Sequence, residues 1–134
     1  MKIVLNKLQN GDFSLSQKAI DAYCARKGRR MYSYKFVTKN DKDMFIRVPN
    51  DVDNFTLWQT TWNYGRETEM LEKVFYVHKM NRTDADLVAV VEELGKEANG
   101  MFADLQIMTI PDNVRYTIYN NDGIETVKWK KFYN

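Results

Sequence analysis

The sequence predicts an α+β fold: a single domain over residues 1–134, with a mostly antiparallel sheet and two helices packed on it, at about 16–27 and 84–94. Apolar residues recur at helical spacing in those two segments, while most of the rest alternates or is rich in β-branched and aromatic residues. Turn residues join successive strand-like runs into hairpins. Runs of strands interrupted by two helices favour antiparallel pairing, and 134 residues is the size of one domain.

The strands are predicted from alternation and from the turns that bound them. The segments are 2–6, 31–37, 43–48, 55–64, 73–78, 103–110, 114–119 and 124–129. The segments 31–37 and 43–48 form a hairpin, and 55–64 is expected as a third strand of the same sheet. Asp122-Gly123 closes the last hairpin, because this pair accepts the positive φ angles of a tight turn.

The first helix is predicted from the apolar stripe of SLSQKAIDAYCARKG and from the residues at its ends. Ser16 suits the N-cap position, and the alternative is a capping box between Ser14 and Gln17. Gly28 stands where a left-handed residue ends a helix. Cys24 adjoins the apolar stripe and has no activating neighbour in sequence, so it is interpreted as a small core residue.

The second helix lies in RTDADLVAVVEELGKEANG, residues 82–100. Its predicted buried stripe, at spacings of three and four, is Leu87, Val90, Val91 and Leu94. Thr83 is the expected N-cap, Asp84 and Asp86 suit the positive end of the helix dipole, and Gly95 ends the helix. Because these acids lie off the apolar stripe and His78 is not at ligand spacing with them, the cluster is interpreted as helix scaffold, with no metal or catalytic role.

Composition excludes several classes of function. A net charge of +2 is too small for a dedicated binder of duplex nucleic acid, and no apolar run approaches the ~20 residues that span a bilayer. One cysteine and one histidine provide neither an internal disulfide nor a zinc set. No dinucleotide, P-loop, zinc-protease or nucleophile-elbow motif occurs. We therefore expect a cytoplasmic protein without cofactor, metal, membrane segment or signal peptide, and no catalytic residue is assigned.

The candidate binding residues centre on WQTTWNYGR, residues 58–66. At strand spacing, Trp58, Trp62 and Tyr64 share one face, and Arg66 follows on that face. Aromatic rings beside a cation suit a nucleobase with its phosphate, although an ordinary sheet face under a helix has the same composition. The predicted ligand contacts are Trp58, Trp62, Tyr64, Arg66, Arg82, Arg29, Arg30 and His78.

Two basic groups stand elsewhere. Arg29 and Arg30 belong to a cluster at the end of the first helix, where cations favour the helix dipole and can also contact phosphate. Lys128, Lys130 and Lys131 surround Trp129, and this pattern is typical of an edge strand whose lysines discourage pairing with another sheet.

Several blocks at the two ends of the chain occur together in one family. They are Lys2–Asn6 and Gly11–Ser16 near the N-terminus, and RTD…VVEELG from Arg82 to Gly95, Ala98–Gly100, Ile110–Asp112 and Asp122–Glu125 near the C-terminus. In these blocks the chain resembles small, mostly uncharacterised bacteriophage accessory proteins. Ala85 stands where the family pattern is expected to have proline, and the resemblance does not extend over roughly 29–80. The resemblance implies a phage product made in the cytoplasm of an infected bacterium.

Small proteins of that kind often act by binding, either by blocking a host enzyme or by sequestering a nucleotide used as a defence signal, and this sets the functional expectation. The leading hypothesis is a phage-encoded, non-enzymatic binding protein that counters bacterial defence by sequestering a nucleotide-derived immune signal. One alternative is a direct protein–protein inhibitor of a host protein, and a second is a small nucleotide-degrading enzyme with His78 as base. A homo-oligomer is expected, because so small a domain encloses a ligand best at a subunit interface.

Overall fold

The computed structural model describes residues 1–29, 32–48, 57–60 and 77–132. In chain order the elements are β1 (Lys2–Asn6), α1 (Gln17–Arg26), β2 (Tyr32–Lys39), β3 (Lys42–Val48), β4 (Leu57–Thr60), α2 (Ala85–Leu94), β5 (Leu105–Thr109), β6 (Val114–Asn121) and β7 (Ile124–Lys131). All paired strands are antiparallel, in the ladders β1-β5, β3-β2-β4 and β6-β7. The predicted α+β fold is confirmed. Contacts divide the chain into two compact units, Met1–Ala19 with Val77–Asn134 and Ile20–Tyr76, and the single-domain assignment stays a prediction.

The first unit is layered around β1. Ile3 and Leu5 point to one side, where they form the core with the chain's first residue, the segment just before β6, and the β6–β7 hairpin. The other members are Met1, Ile110, Val114, Tyr116, Ile118 and Val127. Val4 is fully buried on the opposite side, and Lys2 on that same side bonds to Glu92 of α2 at 3.1 Å. The β1–β5 ladder therefore lies between α2 and the hairpin, and each core side chain contributes about 1.5–3 kcal/mol by leaving water.

Helix α2 begins one residue later than predicted. Asp84 is the N-cap, and its side chain accepts from the backbone N–H of Asp86 at 2.8 Å. The predicted cap, Thr83, instead donates its hydroxyl to Asn81 Oδ1 at 2.9 Å. That local side-chain bond holds Thr83 in the turn before the helix, so the N-cap prediction was wrong by one position. The predicted stripe is buried at Leu87, Val90 and Val91 and half-buried at Leu94.

The β6–β7 hairpin is closed as predicted by Asp122 and Gly123, whose φ angles of 51° and 92° are those of a type I′ turn. The turn packs against the loop after β1, where Asn10 N–H donates to the Asp122 carbonyl. A Cβ on Gly123 would come within 2.5 Å of the backbone of Gly11. The close approach and the positive φ both require glycine here.

Helix α1 has the predicted caps. The N–H of its third residue donates to Ser16 Oγ at 3.1 Å, which makes Ser16 the N-cap. The alternative capping box is not formed, because Ser14 Oγ has no hydrogen-bond partner. At the other end Gly28 has φ 69°, and Arg29 N–H donates to the Cys24 carbonyl at 2.8 Å. These are the features of a Schellman motif.

In the second unit β2 is the central strand, with β3 and β4 on its two sides. Leu57–Thr60 confirms the predicted third strand of this sheet. The strand predicted at 73–78 is wrong at its end, since Val77–Lys79 form a 3₁₀ turn, and 73–76 lie outside the described residues. None of the helices in the described ranges has the length and apolar character needed to cross a membrane.

Candidate ligand-binding surface

Arg82, one of the predicted ligand contacts, lies in a buried ion pair with Glu125. Its two terminal nitrogens donate to the two carboxylate oxygens at 2.7 and 2.9 Å. The side chains are only 12% and 6% exposed. The ring of Phe13 lies against the guanidinium, with Cζ 3.5 Å from the ring centroid. The planar, bidentate geometry is the strong form of this interaction.

Further hydrogen bonds tie this pair to β1. Asn6 N–H donates to Glu125 Oε1 at 2.7 Å, and Arg82 Nη1 donates to the Val4 carbonyl at 3.3 Å. The Asn6 side chain is itself satisfied, donating to the Gly123 carbonyl at 2.8 Å and accepting from backbone N–H groups. We therefore interpret Arg82 as a residue that joins β1 to β7. Its guanidinium is occupied and shielded, which gives no support to phosphate binding by it; that role stays a prediction.

The other predicted contacts are only partly described. Trp58 lies in β4, in register with Tyr34 of β2. His78 lies in the 3₁₀ turn, and Arg29 is exposed just after α1. The remaining members fall outside the described residues: Arg30, Trp62, Tyr64 and Arg66. The predicted aromatic face therefore stays a prediction.

A different basic and aromatic surface is present on the β6–β7 hairpin. Residues of the two strands alternate between the core side and the solvent side in the observed register. The solvent side, named here the hairpin outer face, consists of Arg115, Thr117, Tyr119, Asn121, Ile124, Thr126, Lys128 and Lys130. Within these two fully described strands, no residue of the outer face is acidic. The face therefore carries three cations with no neutralising carboxylate of its own.

Two exposed rings on this side of the hairpin each have a cation beside them. Lys128 Nζ lies 5.0 Å from the ring centroid of Tyr119. Arg115 Cζ lies 5.2 Å from the ring centroid of Phe132, the residue after β7. The rings are 49% and 52% exposed. Each cation–π pair is worth about 0.5–1 kcal/mol at such exposed sites and leaves both ring and charge open to solvent.

A pocket of about 480 Å³ opens at the end of the hairpin where β6 begins and β7 ends. Its lining comprises Pro111, Asp112, Asn113, Val114, Lys131 and Phe132. The Met1 ammonium bonds to the Asp112 carboxylate at 2.7 Å and holds the pKa of that carboxyl below its usual value. The charge of Asp112 is thereby offset, and Lys131 is the cation within the lining. The volume lies in the range of small-molecule sites.

The residue pattern of a single strand does not predict this surface, because the surface depends on how β6 and β7 pair. The lysines around Trp129 do lie on a strand that pairs on one side only within the described chain, as expected of an edge. The register then places Arg115 opposite Lys130 and sends Lys131 to the core side, opposite Val114. A two-residue turn at Asp122-Gly123 determines that register, so the signal was present in the sequence.

The described residues contain no group of three or more His, Cys, Asp or Glu side chains placed to hold a metal ion. Cys24 is buried, and burial, with the nearby charge of Asp21, raises the pKa of its thiol. A protonated, enclosed thiol is a poor nucleophile. Comparison of the chain with protein-family models, with curated proteins and with solved structures finds no match.

Proposed function

We propose that this chain is a non-enzymatic binding protein for a nucleotide-type ligand, and that the ligand occupies the pocket beside Phe132. The observation that carries the proposal is that an exposed ring, Phe132, and a cationic residue, Lys131, line the same pocket of about 480 Å³. A nucleotide presents the two complementary features, a flat base that can stack on the ring and an anionic phosphate that can pair with the cation.

In this arrangement the base lies against Phe132 and the apolar wall formed by Pro111 and Val114. The phosphate lies toward Lys131. Arg115 lies beside the same Phe132 ring on which the base stacks. Stacking of a base on an aromatic side chain contributes about 1–3 kcal/mol. A charge-assisted hydrogen bond to phosphate contributes about 1.5–3 kcal/mol more.

The biological setting of the proposal comes from the resemblance to bacteriophage accessory proteins. On that basis the protein acts in the cytoplasm of an infected bacterium and counters defence by withholding a nucleotide signal. Sequestration requires affinity but no turnover. The predicted homo-oligomer, the inhibitor of a host protein and the nucleotide-degrading enzyme remain predictions with no specific support from the described residues.

Calorimetric titration with a panel of nucleotides tests the proposal: adenosine monophosphate, adenosine diphosphate ribose and cyclic dinucleotides. We expect at least one to bind, and Phe132→Ala to weaken it about 5- to 150-fold, which is the stacking energy expressed as a dissociation constant. Phe102→Ala is the matched control, because its ring is similarly exposed, at 54%, outside the pocket lining.

Two outcomes would refute the proposal. The first is no heat with any member of the panel, and the second is equal weakening by the Phe102 and Phe132 variants. Chromatography of the ligand after incubation checks the absence of turnover. Hydrolysis that is lost in His78→Ala would replace the proposal with the enzymatic alternative.

A further inference from the structure

We infer that the hairpin outer face binds single-stranded nucleic acid, which runs from the pocket end of the hairpin toward its turn. The inference rests on the proposed function in one respect, since Phe132 serves both ligands. Its own support is independent of the pocket and consists of the charge, the rings and the register of β6 and β7.

The register places like charges directly opposite one another. Arg115 and Lys130 are cross-strand partners on the outer face, and both are exposed. Like charges in that relation destabilise a hairpin. Within the described strands no outer-face carboxylate relieves the repulsion. An anion between the two side chains would satisfy both, so a phosphate group is the ligand chemistry that fits this pair.

The exposed rings of Phe132 and Tyr119 extend this anion site along the length of the hairpin. Phe132 lies beside Arg115 at one end, and Tyr119 lies beside Lys128 nearer the turn. Thr126 is the cross-strand partner of Tyr119. At about 3.3 Å per residue, the distance from Thr126 in β7 to Phe132, just after the strand, is about 20 Å. That distance exceeds a mononucleotide and matches several nucleotides of one strand, whose stacked bases rise about 3.4 Å each.

The same features favour a single strand over a duplex or an acidic protein. Accessible rings can stack only on unpaired bases, because the bases of a duplex already cover one another. The carboxylates of an acidic protein would account for the cations, but not for the exposed rings of Tyr119 and Phe132 beside them, whereas a single strand supplies both phosphates and bases. The hydroxyls of Thr117 and Thr126, exposed on this face, can donate to phosphate oxygens.

Fluorescence anisotropy with labelled oligothymidylates of two, four, six, eight and twelve nucleotides tests the inference. We expect affinity to rise with length and to level off at about six to eight nucleotides. We expect the logarithm of the association constant to fall with the logarithm of salt concentration with a slope of about −2, which is three cations at about 0.7 each. Affinity independent of length would overturn the inference and leave the proposed function standing.

Matched variants locate the strand on the face. Lys128→Ala should make the salt slope about 0.7 shallower, and Tyr119→Leu should weaken the longer oligonucleotides about 5-fold or more. Both should leave binding of the nucleotide panel unchanged. The controls are Lys96→Ala and Phe102→Leu, which remove an exposed charge and an exposed ring elsewhere. Thermal melting of each variant verifies folding.

The remaining outcomes each decide one proposal. Oligonucleotide binding that is unchanged in both Lys128→Ala and Tyr119→Leu overturns the inference. So does equal binding of a duplex, or equal competition by polyglutamate of matched charge, which would identify an acidic-protein surface. Length-dependent binding of oligonucleotides without binding of any nucleotide in the panel supports the inference and overturns the proposed function.

Discussion

Removal of Arg82 should destabilise the protein far more than the loss of an ordinary surface ion pair. In Arg82→Ala, the Glu125 carboxylate, 6% exposed, would keep the Asn6 N–H as a hydrogen-bond donor and lose both guanidinium bonds. Breaking one side of a buried pair costs about 3–5 kcal/mol, because the remaining charge is left without compensation. The contact of the guanidinium with the Phe13 ring, worth up to about 2 kcal/mol, is lost as well.

Urea denaturation followed by circular dichroism measures this effect as a lower midpoint at an unchanged slope. In a chain of this size the midpoint of thermal unfolding should fall by about 4 °C for each kcal/mol, hence by about 12–20 °C. Lys2→Ala is the matched control, since its partner is Glu92 and the two side chains are 51% and 47% exposed. That change should cost less than about 1 kcal/mol.

A double-mutant cycle separates the pair from its surroundings. Arg82→Ala, Glu125→Ala and the double variant should show a coupling energy above about 1.5 kcal/mol, in the upper part of the range for residues in contact. A loss below about 0.5 kcal/mol in Arg82→Ala, or a coupling near zero, would refute the structural role of the pair. The nucleotide affinity of the folded fraction of Arg82→Ala should be unchanged. A lower affinity in this variant would show that Arg82 contacts the ligand.

Three further predictions follow from backbone geometry and titration. Gly123→Ala should lower the free energy of unfolding, measured in urea, by more than about 2 kcal/mol, because the new Cβ would meet backbone atoms at 2.5 Å. Gly28→Ala, with a similar positive φ and open space around it, should lower it by only about 1 kcal/mol. Equal losses in the two variants would contradict the steric argument. The thiol of Cys24 should react with iodoacetamide at pH 8 many times more slowly in the native protein than in urea, because burial raises its pKa; equal rates would show an accessible thiolate. The Asp112 carboxyl, followed by NMR, should titrate below its usual pKa. Its ion pair with Met1 therefore contributes stability above about pH 4, and this stability is lost as pH falls through the lowered pKa. Acetylation of Met1 should return the pKa of Asp112 toward normal, and no response would exclude the ion pair.

Local elements were predictable because their signals lie within a few residues of one another. The cap at Ser16, the left-handed Gly28 and the turn at Asp122-Gly123 each depend on one side chain or one φ angle. The wrong N-cap prediction at Thr83 has a similarly local cause. The Thr83 hydroxyl donates to Asn81 Oδ1, and Asp84 is the residue that caps the helix. Helix ends are set by such competing bonds, which composition and periodicity do not resolve.

The sequence by itself determined the α+β class, the two helices, the buried stripe of α2 and most of the described strands, because periods of 3.6 and 2 are properties of the local chain. Only the tertiary structure decided what the charged residues do. The sequence predicts Arg82 as a ligand contact, yet in the structure Arg82 pairs with Glu125, 43 positions further along the chain. Conversely, Arg115 and Lys130 share an exposed face because their strands pair in one register. Burial and pairing depend on residues far apart in the chain. The sequence around a charged residue therefore does not indicate whether its side chain will contact a partner or water.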